Sequence, residues 1–332
     1  MRLAVKWLNH LVWFWMLALV LFGCAPVIHP PIQINQPPVL TSEKFVAHDG
    51  ATMPAEVWLP SQPTRAVIVA VHGFNDYRNA FALPGPYFAE RGIAFYSYDQ
   101  RGFGATSHRG LWPGKSRLQV DLYHFVATVK RDHPDVPLYI LGDSMGAAVV
   151  VSTLVRFPSL DVAGSILNAP AIWGGETMNL GYRLTLWLVS HSIPWYTVTG
   201  EGLGVRVTDN IPLLREMSKD DFLIRETRFD ALYGLVQLMD EAHVMVPQLS
   251  HPILILYGQK DEVIPVHSIC SLVERVHAPL DIHFYPQGYH LLLRDLQADE
   301  VWKDISIWIK NEDNRGSSSL DDLEACRKEL PH

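Results

Sequence analysis

The chain lacks several features that would commit it to large functional classes. Basic residues are in the minority, 27 Lys and Arg against 35 Asp and Glu, giving a net charge of −8 over 332 residues. No basic stripe is available to neutralise phosphates, which excludes nucleic acid as a partner. Cysteines number only three and the 15 histidines are scattered. None of them falls in the clustered spacing of a metal site, so neither a metal nor any other cofactor is expected. Internal repeats and heptads are absent. The N-terminal apolar run, residues 11–22, is short of the roughly 20 residues that span a bilayer as a helix.

What is present is a globular composition, 48% hydrophobic and 19% charged. It suits one α/β domain with an insertion, or two domains. The N-terminus reads as a targeting segment: Arg2 and Lys6, then the apolar run, then Leu21-Phe22-Gly23-Cys24. Those four residues resemble the lipobox of bacterial lipoproteins. The resemblance implies a signal peptide over residues 1–23, lipidation of Cys24, and a lipid anchor in the bacterial cell envelope, at the periplasmic face of the outer membrane. An uncleaved anchor or ordinary secretion are the alternatives. Residues 24–42 read as the anchor site and a spacer, because Pro26, Pro30, Pro31, Pro37 and Pro38 favour extended chain of about 3.1 Å per residue.

Folded structure is expected from residue 43. Residues 45–48 and 55–59 read as a hairpin. Apolar runs at 65–71, 93–98, 138–141, 162–167, 253–257 and 280–285 read as strands, with helical patterns between them, clearest at 118–130 and 147–156. Such alternation predicts a mostly parallel central sheet flanked by helices, with residues 43–170 and 247–311 forming the core. The pattern breaks at 171–246, which has no clear strand and is expected to be an inserted helical cap. Leu180, Leu184, Trp187 and Leu188 share one helical face, and Leu232, Leu235, Val236 and Met239 another. Most of these positions are expected to be core. Trp173, Leu184 and Trp187 are the candidates for lining a substrate cleft.

The chemistry centres on Gly142-Asp143-Ser144-Met145-Gly146, set between an apolar strand and a small-residue helix. This is the strand–elbow–helix arrangement that holds a nucleophilic serine on a sharp turn. A serine hydroxyl needs a base within hydrogen-bond reach, and that base needs an orienting carboxylate. Asp261, on the loop after the 253–257 strand, is the acid candidate, with its neighbour Glu262 as substitute. His290 follows the next strand by a glycine turn, 29 residues later, and is the base candidate. His251, His267, His277 and His283 are less well placed, ahead of a strand, in a helix or within a strand. Attack on a carbonyl also needs oxyanion donors. The backbone N–H groups of Met145 and Phe74 are the candidates, and His72 is expected to stabilise the turn before Phe74.

Together His72-Gly73-Phe74-Asn75, the 98–104 segment Tyr-Asp-Gln-Arg-Gly-Phe-Gly, the serine elbow, the 258–265 segment Gly-Gln-Lys-Asp-Glu-Val-Ile-Pro and Gly288-Tyr289-His290 resemble an α/β-hydrolase of the monoacylglycerol lipase, lysophospholipase and serine aminopeptidase-like group. The resemblance runs from about residue 43 to 310. It implies a serine hydrolase acting on carboxylic esters of a single-chain lipid, a monoacylglycerol or lysophospholipid, at a membrane. Short-ester hydrolysis and amide or peptide hydrolysis on the same triad are the alternatives, and a non-catalytic envelope scaffold is a remote one. That group usually carries histidine where this chain has Asp143, which raises the expectation of altered reactivity unless the carboxylate turns away. Cys270 is expected to be a buried free thiol, with a Cys270–Cys326 pair as the alternative. Residues 312–332 are expected to be a mobile tail, with a short helix over 320–330 as the alternative.

Overall fold

The computed structural model describes residues 35–173, 179–200, 202, 204–311, 316 and 326. The signal segment, Cys24 and most of the spacer lie outside the described residues, as do residues 174–178 and all of the tail but Gly316 and Cys326. The strands are β1 (Val39–Leu40), β2 (Lys44–Val46), β3 (Thr52–Trp58), β4 (Ala66–Val71), β5 (Ile93–Tyr98), β6 (Leu138–Asp143), β7 (Gly164–Asn168), β8 (Thr197–Thr199), β9 (Glu226–Arg228), β10 (Ile253–Gly258) and β11 (Leu280–Tyr285). Nine form one sheet in the order β1-β2-β3-β5-β4-β6-β7-β10-β11. The first three are antiparallel and the remainder run parallel. Sheet structure therefore starts earlier than expected. Val39 and Leu40, assigned above to the spacer, pair with Val46 and Phe45.

The helices are α1 (Pro84–Ala89), α2 (Lys115–Asp132), α3 (Met145–Arg156), α4 (Leu180–Ser192), α5 (Ile211–Met217), α6 (Phe229–Met245), α7 (Val266–Arg275) and α8 (Ala298–Lys310). Because successive strand side chains alternate between faces, β4 sends Val67, Val69 and Val71 one way and Ala66, Ile68 and Ala70 the other. The first set packs in one core with residues of α2, α3, α6 and α7. The second packs with Phe88 of α1 and Val301, Ile305 and Trp308 of α8. Covering both faces is why the parallel strands read as unbroken apolar runs. Each fully buried large side chain contributes about 1.5–3 kcal/mol of transfer free energy.

The insertion departs from expectation at three points. It contains an antiparallel strand pair, β8 with β9, in a stretch that shows no strand pattern. The apolar face of α4 is not core: Leu180, Leu184, Trp187 and Leu188 are 68, 59, 42 and 47% exposed. By contrast α6 lies within the region read as a cap, yet Ala231, Leu238, Met239 and Ala242 join the main core beside α3. His277 also falls just beyond the end of α7 rather than inside it. A further correction concerns sulfur: Cys270 is joined to Cys326 by a disulfide and is not a free thiol. The bond fastens one point of the tail to α7.

Candidate active site

Ser144 is the single residue between β6 and α3, and it adopts φ 52° and ψ −115°. A side chain in that left-handed region costs about 1–3 kcal/mol, so neighbours must hold it there. The Ser144 N–H donates to the Asn168 carbonyl at 2.9 Å, and the Ser144 carbonyl accepts from the N–H groups of Ala147 at 3.0 Å and Ala171 at 3.1 Å. Two glycines permit the tight passage. A Cβ on Gly146 would stand 2.1 Å from the Val71 carbonyl oxygen, and one on Gly142 would stand 2.5 Å from the Ala147 Cα.

The three residues singled out for nucleophilic chemistry meet at this turn. His290 Nε2 lies 3.1 Å from Ser144 Oγ, and His290 Nδ1 lies 2.8 Å from Asp261 Oδ2. With Nδ1–H donating to the carboxylate, Nε2 is left to accept from the serine hydroxyl. Asp261 is itself fixed, since its Oδ1 accepts from the N–H groups of Val263 at 2.7 Å and Ile264 at 2.9 Å. Its neighbour Glu262 is exposed and accepts from the Arg206 N–H at 2.8 Å, which takes it out of the acid's place. Burial works against a charged His290, but the hydrogen bond and charge of Asp261, with a further contribution from Asp143, outweigh it and raise the imidazole above its usual pKa. Two of the other histidines are engaged elsewhere: His251 faces Ser165 Oγ at 3.1 Å and His283 faces Asp304 at 3.4 Å.

The loop after β4 closes against the elbow. A Cβ on Gly73 would stand 3.3 Å from the Ser144 Cβ. His72 acts as expected for a turn-holding residue. Its Nδ1–H donates to the Gly73 carbonyl at 2.8 Å, and its Nε2 accepts from the Gln100 N–H at 2.9 Å. Complete burial lowers its pKa, so the neutral ring that these bonds require is favoured. The Phe74 and Met145 amides have no hydrogen-bond partner among the described residues.

Asp143, beside Ser144, is bonded to the neighbouring strand. It is 6% exposed, and its Oδ1 accepts from Asn168 Nδ2 at 2.6 Å. Nearby, Arg294 and Asp76 form a buried ion pair at 2.5 Å that joins the histidine loop to the loop carrying Phe74. None of Asn168, Arg294 and Asp76 stands out in the sequence. The pairing of Asp143 with Asn168 follows from the register of β6 on β7, which no local pattern encodes.

Part of the insertion is stitched over both site loops. The Leu291 N–H donates to the Val207 carbonyl at 2.9 Å, and Thr208 Oγ1 donates to Asp295 at 2.5 Å. On the other side Asn75 Nδ2 donates to Thr227 Oγ1 at 2.6 Å, and Tyr77 OH donates to Asp220 at 2.5 Å. Of the three cleft candidates, Trp173 is half-buried against the main core. Leu184 and Trp187 line a cavity of about 380 Å³ between α4 and α6, together with Tyr233 and Val236. No triad residue is part of that lining.

A family model described as serine aminopeptidase, S33, matches residues 62–297. The chain belongs to this family. Members of it carry the α/β-hydrolase fold seen here, and the chain is a serine hydrolase of the monoacylglycerol lipase-like type. It is 26% identical to the monoacylglycerol lipase of Mycolicibacterium smegmatis over 277 residues, covering 81% of this chain and 96% of that one. The human monoglyceride lipase is 21% identical over 277 residues, covering 80% and 89%. Among solved structures, a soluble variant of monoglyceride lipase from Saccharomyces cerevisiae in complex with a substrate analog superposes with a TM-score of 0.70 at 19% identity, over 86% of this chain and 99% of that one.

Proposed function

We propose that the protein is a membrane-tethered lipase for esters of single-chain lipids, with monoacylglycerols or lysophospholipids as substrates, working through Ser144, His290 and Asp261. The continuous hydrogen-bonded relay from Asp261 through His290 to Ser144 carries this reading. Ser144 Oγ attacks the ester carbonyl while His290 Nε2 takes its proton. The Phe74 and Met145 amides receive the oxyanion, and His290 returns the proton to the departing alcohol oxygen. Water then attacks the acyl-enzyme by the same route, with its proton passing to His290 and then back to Ser144, and the fatty acid leaves.

Support for the lipid substrate comes from the relatives named as monoacylglycerol and monoglyceride lipases and from the exposed apolar face of α4, which suits a substrate presented by a lipid surface. Leu184, Trp187 and Trp173 are assigned to the acyl-chain path. Tethering rests on Cys24 in its lipobox-like setting and on the disulfide, which fits the oxidising periplasmic side of a bacterial envelope. A fluorophosphonate probe is expected to label the wild-type chain and not Ser144→Ala. A chain-length series of p-nitrophenyl esters is expected to favour medium or long acyl groups, and a peak at acetate overturns the lipid assignment. Cys24→Ser is expected to move the protein out of the membrane fraction. The family description includes an aminopeptidase, so an amide panel belongs beside the ester series.

A further inference from the structure

The residue before the nucleophile is the place where this chain leaves the pattern of the hydrolases it resembles. Asp143 is buried at the end of β6, and its side chain takes one hydrogen bond, from Asn168. Asn168 sits opposite it in the β6–β7 register and also receives the Ser144 N–H on its backbone carbonyl. One residue therefore grips both the carboxylate and the nucleophile's backbone. On its other side Asp143 Oδ2 faces the loop after β4, 3.9 Å from where a Cβ on Gly73 would stand. A carboxylate so enclosed is costly to bury unless its charge is used or matched.

The surrounding charges show where the match lies. Arg294 and His290 face Asp143 from the histidine loop, and Asp76 faces it from the loop after β4. Arg294 is already bonded to Asp76 and also lies beside Asp295, whose oxygens are taken up by Thr208 and the Tyr289 N–H. His72, whose burial favours the neutral ring, also feels the charges of Asp76 and Arg294. Arg294, bonded to Asp76, and His290, bonded to Asp261 through Nδ1, are the two positive partners of Asp143, with Arg294 the first and His290, the one that takes part in the reaction, the second.

We propose that Asp143, clamped by Asn168, is a positioning residue of the hydrolase: a second carboxylate that shares the positive charge His290 acquires when it takes the Ser144 proton. The carboxylate also braces the strained turn from which Ser144 projects. Burial raises Asp143's own pKa, opposed by Arg294, His290 and the Asn168 bond, so its charge is lost on acidification at a higher pH than for an exposed aspartate.

This inference rests on the triad reading above, and the experiment separates the two. The pH profile of kcat/KM is measured on a p-nitrophenyl ester for wild type, Asp143→Asn and Asp143→Ser, with fluorophosphonate labelling of Ser144→Ala alongside. Removing the negative charge makes His290 easier to deprotonate, so the acid limb is expected to move to lower pH by roughly half a unit to one unit. The plateau is expected to fall about tenfold or less, since Asp261 and the hydroxyl remain. A limb that superimposes on wild type, or moves to higher pH, overturns the inference and reduces Asp143 to a space-filling group. If Asp143→Asn does not fold, Asp143→Ser is read by the same criterion. Loss of label in Ser144→Ala with an unmoved acid limb defeats this inference alone. Labelling retained in Ser144→Ala defeats the triad reading instead.

Discussion

Two parts of the insertion differ sharply in how they meet the rest of the molecule. The strap formed by residues 206–208 and 220–227 is hydrogen-bonded to the loops carrying His290 and Phe74. The neighbouring α4 makes ring contacts to α6 through His191 and Tyr233 but leaves Leu180, Leu184, Leu188 and Trp187 open to solvent. The first part is held by polar bonds whose loss would disturb the catalytic loops. The second presents an apolar surface to solvent. An apolar residue count does not separate them, because the distinction lies in what each segment touches.

The largest expected effect tests the fixed side. Asp261→Asn should cut kcat by about 10²–10⁴, since Nδ1 of His290 loses its anionic acceptor. Its acid limb should also shift to lower pH: Asp261 raises the His290 pKa, so its removal lets the neutral base persist in more acidic solution. A profile of unchanged shape would mean that the carboxylate does not act on the imidazole. Next, Gly146→Ala puts a Cβ into the Val71 carbonyl oxygen, a backbone atom that cannot swing aside. A loss of about 3 kcal/mol or failure to yield folded protein is expected in denaturant titrations. Cys270→Ser releases Cys326 and should lower stability by about 2–4 kcal/mol under oxidising conditions, with a smaller difference from wild type in reductant, where only the buried hydroxyl remains to be accommodated. Smallest in stability is Leu184→Ser. Its midpoint should stay within about 0.5 kcal/mol of wild type, because the side chain is already 59% exposed. The same variant should raise KM for long-chain esters and leave short ones alone. A large stability loss there would erase the contrast between the two parts of the insertion.

The sequence was most legible where local pattern and tertiary role coincide. The run at 93–98 became β5 with matching bounds, because a strand buried on both faces is apolar nearly throughout, and the run at 280–285 became β11, the half-buried edge strand, with matching bounds as well. The serine elbow, Asp261 and His290 were readable because each follows a strand at the loop end of a parallel sheet, where chain order fixes who meets whom. Legibility failed where the answer depends on a partner far along the chain. The apolar stripe of α4 has the same periodicity as a core stripe, and only its position outside the packed layers exposes it. Helix α6 shows the reverse case, an insertion helix drawn into the core beside α3. Asn168 and the Arg294–Asp76 pair were invisible for a related reason, since their value comes from register and from loops separated by 218 positions. Cys326 carries no local sign of its bond to Cys270.

The serine and the imidazole stand 146 residues apart in the chain, and the sheet must close on both sides of β6 and β10 before they touch. A ribosome that has delivered only the first 280 residues has therefore made a nucleophile without a base. Any fragment ending before residue 290 should be inert as a hydrolase, however well its early strands assemble, so turnover doubles as a report that the chain has folded through its histidine loop.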